Sequence, residues 1–120
     1  MTPAALATAL RALLADLLGT YKTPQGTTVP ACRVGDPPPD WTATGVEVIV
    51  DPALEFDNRP LHQHTAVITE IPVRVVQHGT GSPSAVAARI AQRFNATNPT
   101  QVPTNERLGI LAQYTLRVRS

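Results

Sequence analysis

The sequence predicts an α+β domain: two amphipathic helices on one face of an antiparallel (mixed) sheet of about four strands, in the order α-β-β-β-α-β. Three observations carry this expectation. Leucines recur at spacings of three and four near the start, β-branched residues alternate through the middle, and the chain closes on a run of near-perfect alternation. Residues 1–120 are expected to form one domain, since a chain of this length can bury about two thirds of its unfolded surface around one core.

The first helix is expected over residues 3–18. Thr2 supplies a capping hydroxyl, Pro3 suits the first helical position, and Leu6, Leu10, Leu13, Leu14 and Leu17 form the stripe. Gly19 is expected to end it in a left-handed conformation, with Arg11 and Asp16 on the wet side. Residues 20–28 read as a turn-forming stretch. Residues 29–34 read as a short strand that Pro30 confines to a start or an edge. Pro37, Pro38 and Pro39 predict an extended loop that presents Trp41.

Val46 to Val50 reads as a strand, and residues 51–60, with Asp51, Glu55, Asp57 and two prolines, as an exposed acidic loop. The longest strand is expected over 64–77, with Val67, Thr69, Ile71, Val73 and Val75 on one face and Glu70, Pro72 and Arg74 on the other. Pro72 lacks a ladder donor, so the strand must be at an edge or bulged there. Ser82 and Pro83 open a second helix, 83–95, with the stripe Val86, Ala87, Ile90 and Phe94. Residues 98–105 read as a polar loop. The last strand, 108–118, turns Leu108, Ile110, Ala112, Tyr114, Leu116 and Val118 inward and Gln113, Thr115, Arg117 and Arg119 outward, which leaves a half-polar sheet face open.

Composition narrows the function. A net charge of +1 gives no field that would make nucleic acid or an anionic membrane the default partner. No stretch approaches the ~20 apolar residues of a spanning helix, and no signal peptide is evident, so the expected place of synthesis is the cytosol. Cys32, the single cysteine, can form no internal disulfide and is expected to pack. No nucleophile elbow or phosphate-binding loop occurs, and the Gly79 to Pro83 segment reads as a helix cap; no enzyme activity and no cofactor are implied. His62 and His64, two apart on an extended segment, are weak metal-ligand candidates that need a third ligand from Asp51, Glu55, Asp57 or His78. Arg117 and Arg119 lack the outward aromatic residues of an RNA-stacking face.

The leucine-rich first helix, the strand Val46 to Val50, the long strand Thr65 to Val76, the Ser-Pro helix 83–95 and the alternating last strand together resemble the tail terminator and tail-completion (neck) proteins of long-tailed bacteriophages. The resemblance is one of element order and spans nearly the whole chain. It implies helices on one side of an antiparallel sheet and a homo-oligomeric ring, commonly of six, that caps the tail tube and joins it to the head-neck connector. The implied partners are the chain itself, the tube protein and the connector, with DNA passing through the ring unread. The implied location is the virion neck, reached from the host cytoplasm. Trp41, Glu55, Asp57, Arg74, Arg117 and Arg119 are then interface candidates. A head-tail connector or minor tail protein is the alternative of the same kind, and a small metal- or ligand-binding protein using His62 and His64 that of another.

Overall fold

The computed structural model describes residues 2–53, 55–61, 64–103 and 110–119; over 55–61 and 64–69 it describes the backbone alone. The class is α+β, with two helices and more strands than expected. Helix α1 is Pro3–Leu13, and β1 (Thr20–Lys22), β2 (Thr28–Pro30), β3 (Cys32–Val34), β4 (Thr42–Val50), β5 (Glu55–Leu61) and β6 (His64–His78) follow. Helix α2 (Pro83–Arg93), β7 (Thr100–Val102) and β8 (Ala112–Arg119) complete the chain. The sheet runs β2-β1-β4-β6-β8-β7, with β3 parallel to β4 beyond the end of β1 and β5 antiparallel to β6.

Both helices begin as the sequence requires. Thr2 accepts a hydrogen bond from the Ala5 amide at 3.1 Å and Ser82 from the Ala85 amide at 3.2 Å, each followed by proline at the first helical position. The leucine stripe is buried: Leu6, Leu10 and Leu14 are fully enclosed and pack with Val86 and Ile90 of α2 against Val46, Val48, Val50, Ile71, Val73 and Val75. Arg89 of α2 reaches Asp16 at 2.6 Å and the Leu13 carbonyl at 3.5 Å, tying the second helix to the end of the first. That bond holds the exposed Asp16 carboxyl below the usual carboxylate range.

The first helix is shorter than expected, ending at Leu13 with turns beyond it. Gly19 is not its left-handed terminus. Its amide donates to Val46 O at 2.9 Å, and a Cβ there would fall within the Thr44 carbonyl and 2.8 Å from Gly45 Cα. Glycine is thus required by close approach of two backbones, and Gly45 across from it takes φ +75°. Residues 20–28, expected as a turn, contain β1 and the beginning of β2, which pair with each other and, through β1, with β4. Pro30 sits on β2, an outer strand, where its missing donor costs no ladder bond. The expected single strand over 29–34 is therefore two, split at Ala31.

The acidic loop expected over 51–60 is mostly strand. Val50 pairs with Val73 but Glu55 with Glu70, so five steps along one strand answer three along the other, and two extra residues bulge out between β4 and β5. Pro72 stands opposite that bulge. Its carbonyl receives the Asp51 amide at 2.9 Å, so its absent N–H faces the point where the β4 ladder gives way to the bulge. Beyond the bulge, among the described residues, β5 and residues 64–69 pair only with one another, since β8 ends with Arg119 opposite Glu70. At about 3.3 Å per residue this two-stranded arm reaches roughly 20 Å past the sheet, and the molecule measures 56 × 26 × 24 Å.

Two further expectations change at the other end. Thr100–Val102 is a strand on the outer side of β8, within the expected loop, and β8 begins at Ala112; Leu108 lies outside the described residues. Within β8 the inward phase holds: Leu116 and Val118 are buried and Tyr114 packs on the core. Among the described residues no helix is long and apolar enough to cross a membrane.

Gly19→Ala is expected to destabilise the protein by about 2 kcal/mol or more, as over-packing against rigid backbone does; urea unfolding followed by circular dichroism measures it. Gly26→Ala, where a Cβ meets nothing within 4 Å but φ is +82°, should cost less, about 1 kcal/mol.

Candidate functional site

Cross-strand partners share a sheet face, so the register places Tyr21 with Ala43, Val76 with Glu47 and His78 with Gly45 on the face opposite the helices. Glu47 lies in the strand Val46-Glu47-Val48-Ile49-Val50 and is only 4% exposed. An acid buried to that degree needs partners. It has two: the Tyr21 hydroxyl donates to Oε2, and His78 Nε2 lies 2.8 Å from Oε1.

Tyr21 is itself buried and meets the Trp41 ring at a centroid distance of 5.7 Å and a tilt of 53°. On the other side of Trp41, the Arg33 guanidinium lies 5.4 Å from the indole centroid, within cation–π range. The row Arg33, Trp41, Tyr21, Glu47, His78 thus runs from the edge of β3 across β4 to the end of β6. This face is therefore not open and half-polar near β4 and β6: Ile49 and Val76 are also buried on it.

The aromatic end of the row forms one wall of a groove of about 600 Å³ along the outer edge of β3. The opposite wall is α1, through Ala4, Ala7, Thr8 and Arg11, and the floor is Cys32 and Val34. Arg11 Nε donates to the Cys32 carbonyl at 2.9 Å, satisfying an edge acceptor. Burial pushes the Cys32 thiol up to about 11, with Arg11 opposing slightly, and Sγ lies 3.7 Å from the Ala7 carbonyl. Burial first, then the bond to Glu47, raises the Tyr21 phenol above its usual range. Both groups are neutral near pH 7, so the groove offers cations, aromatic rings and aliphatic surface rather than an activated nucleophile.

The expected site residues fall in several places. Trp41 belongs to the groove. Arg74 pairs with Asp36 at 2.6 Å on the sheet face away from the helices, both well exposed. Arg119 lies 3.7 Å from Glu70, its partner in register, and Glu70, expected outward, is only 5% exposed. Arg117 is exposed, its backbone joined to Thr97. Glu55 and Asp57 stand on β5 and His64 opens β6 opposite Leu61, all with side chains outside the described ones; His62 lies outside the described residues. His78 cannot share a metal with His64, because β6 separates them by roughly 45 Å at about 3.3 Å per residue. Asp51 accepts the Ala53 amide at 2.9 Å, an Asx turn in the bulge. Among the described residues no group of three or more His, Cys, Asp or Glu is placed to hold a metal.

Sequence reasoning missed the Tyr21, Glu47 and His78 cluster. The available signal was Glu47 itself, one acid in a strand apolar on both phases. No family model matches the chain, and no curated protein or solved structure matches it either.

Tyr21→Phe keeps the ring and deletes one donor to a buried carboxyl, and is expected to cost about 1–3 kcal/mol in urea unfolding. The raised thiol and phenol also set an alkaline limit. Each favours the folded state in its neutral form, so that contribution is complete below the unfolded thiol's value near 9 and is lost as pH climbs through about 11. Thermal midpoints should therefore decline from pH 9 upward, less steeply in Cys32→Ala.

Proposed function

We propose that this chain is a structural virion protein of a long-tailed bacteriophage: a tail terminator that forms a ring, caps the tail tube and joins it to the head-neck connector. The observation that carries the reading is the β5–β6 arm. An isolated two-stranded ribbon is marginal in water, and this one bears Phe56, Leu61, Val67 and Ile68 with no third strand beside it among the described residues. A ribbon of that composition is stable when it lies against another surface. In a subunit whose arm and body are different surfaces, repeated head-to-tail contact closes a ring if the rotation allows.

Further support comes from what the groove and sheet provide. The α+β class and the two helices are as expected, and the strands number more than the expected four, with β5 of seven residues standing where a loop was expected. The Cys32 thiol and the Tyr21 phenol are both held protonated, which suits a docking surface better than a reaction centre. Arg74, Arg117 and Arg119 line β6 and β8 at positions that a tube or connector surface could meet, and the tube protein, the connector and further copies of the chain are the partners this function requires.

Multi-angle light scattering of the purified chain should show a hexamer, or one forming as concentration rises or when tail tubes are added. Negative-stain images should then show tubes capped at one end and no longer extending. A strict monomer that neither binds tubes nor stops their growth would remove this reading.

A further inference from the structure

We infer that the ring is built by arm exchange: the β5–β6 arm of one copy seats in the groove between α1 and Trp41 of the next. The inference rests on the ring reading above and adds the contact that makes the ring.

Three features of the groove fit a ribbon. First, it runs along the outer edge of β3, which pairs with β4 on one side and with no strand on the other among the described residues. The outer strand β2 is less suited, because it contains Pro30, whose lack of a donor interrupts an added ladder. Second, the groove holds about 600 Å³ between α1 and Trp41, floored by Cys32 and Val34, room for apolar side chains of a strand. An exposed sheet edge beside such a groove is the setting in which extended segments add to sheets.

Third, the charges are complementary. Arg11 and Arg33 stand at the groove, and no acidic residue is among the residues that line it. The arm carries Glu55 and Asp57 on β5, with Asp51 at its root and Arg59 as the opposing charge. Among the described residues the arm's backbone pairs with no strand of its own body beyond Glu70, and its roughly 20 Å reach exceeds the length of β3. The contact is heterologous, arm to groove, so every copy both gives an arm and receives one.

Charge reversal in two separate proteins tests this. Glu55→Arg with Asp57→Arg sets a basic arm against a basic groove, and Arg11→Glu with Arg33→Glu sets an acidic groove against an acidic arm. Each variant, shown folded by circular dichroism, should need about tenfold or more higher concentration to assemble than the unaltered chain. Mixed in equal amounts, the two should assemble again near the unaltered concentration, since basic arms then meet acidic grooves and the reverse.

A photo-crosslinking phenylalanine analogue at position 56, in an otherwise unaltered chain, supplies a readout that does not depend on the folding of the reversed variants. It should link to peptides from Pro3–Leu13 or Cys32–Val34 of another copy. If the unaltered chain assembles but the reversed variants do so equally well, or the crosslinks fall elsewhere or only on tube protein, arm exchange is wrong while the ring stands. A chain that never assembles overturns both.

Discussion

Much of this structure depends on one step of register. Along β4 and β6 the strands answer each other residue for residue from Gly45 and His78 to Val50 and Val73, and then two extra residues intervene before Glu55 meets Glu70. The step falls where β6 contains Pro72, whose missing amide would otherwise leave a gap in a central ladder. The proline falls where the one-for-one ladder ends: Asp51 still donates to its carbonyl, and the return bond from position 72 is the one the proline cannot make. Past that point, among the described residues, the two strands pair only with each other. The same two chain segments therefore supply the core at one end, through Val48, Val50, Val73 and Val75, and a two-stranded ribbon at the other.

The body of the sheet is fastened by a different device. Glu47 brings a carboxyl into a face that would otherwise be apolar, at a desolvation cost that only hydrogen bonding can offset. Its partners come from opposite directions: Tyr21 from β1, far back in the sequence, and His78 from the end of β6. Buried polar clusters add little net stability when whole and cost much when broken. Their effect is one of position. The bond to Glu47 holds the Tyr21 ring beneath Trp41, and Trp41 in turn offers its face to Arg33, so a polar contact inside the sheet determines the shape of a groove at its edge.

Parts of the fold driven by local pattern were legible in the sequence. The leucine stripe, both Thr/Ser-Pro helix starts, the strand Val46 to Val50 and the inward phase of Leu116 and Val118 depend on periodicity and capping, which neighbours in sequence determine. What was not legible depends on partners distant in sequence. β1 and β2 are three residues each, formed because β1 lies beside β4 and β2 beside β1, and Thr20-Tyr21-Lys22 has no strand signature of its own. Residues 55–61 carry Asp57, Asn58 and Pro60, a composition that argues for a loop; they extend because β6 offers a template. Gly19 was correctly read as a constrained position but for the wrong reason, since close approach to Thr44 and Gly45 leaves no local trace. Trp41 could be named, but not its wall of the groove, because that requires knowing that Tyr21 and Arg33 converge on it.

Under the proposed arm exchange, these elements would let a chain with few charged groups be selective about what it touches. Hydrophobic contact alone would let a ribbon bearing Phe56, Val67 and Ile68 adhere to many apolar surfaces, including identical ribbons, and edge strands of that kind tend to aggregate. In the proposed arm exchange, like charge on Glu55 and Asp57 would oppose self-pairing of arms, and Arg11 and Arg33 would attract the same arm to a groove. The guanidinium of Arg11 also occupies the Cys32 carbonyl, so an incoming strand finds that edge partly satisfied and must be recognised by side chains as well as backbone. In that proposal, specificity would reside in the pairing of one acidic ribbon with one basic, aromatic-walled groove. The proposed closed ring would satisfy every arm and every groove at once, and so would end assembly at a fixed size.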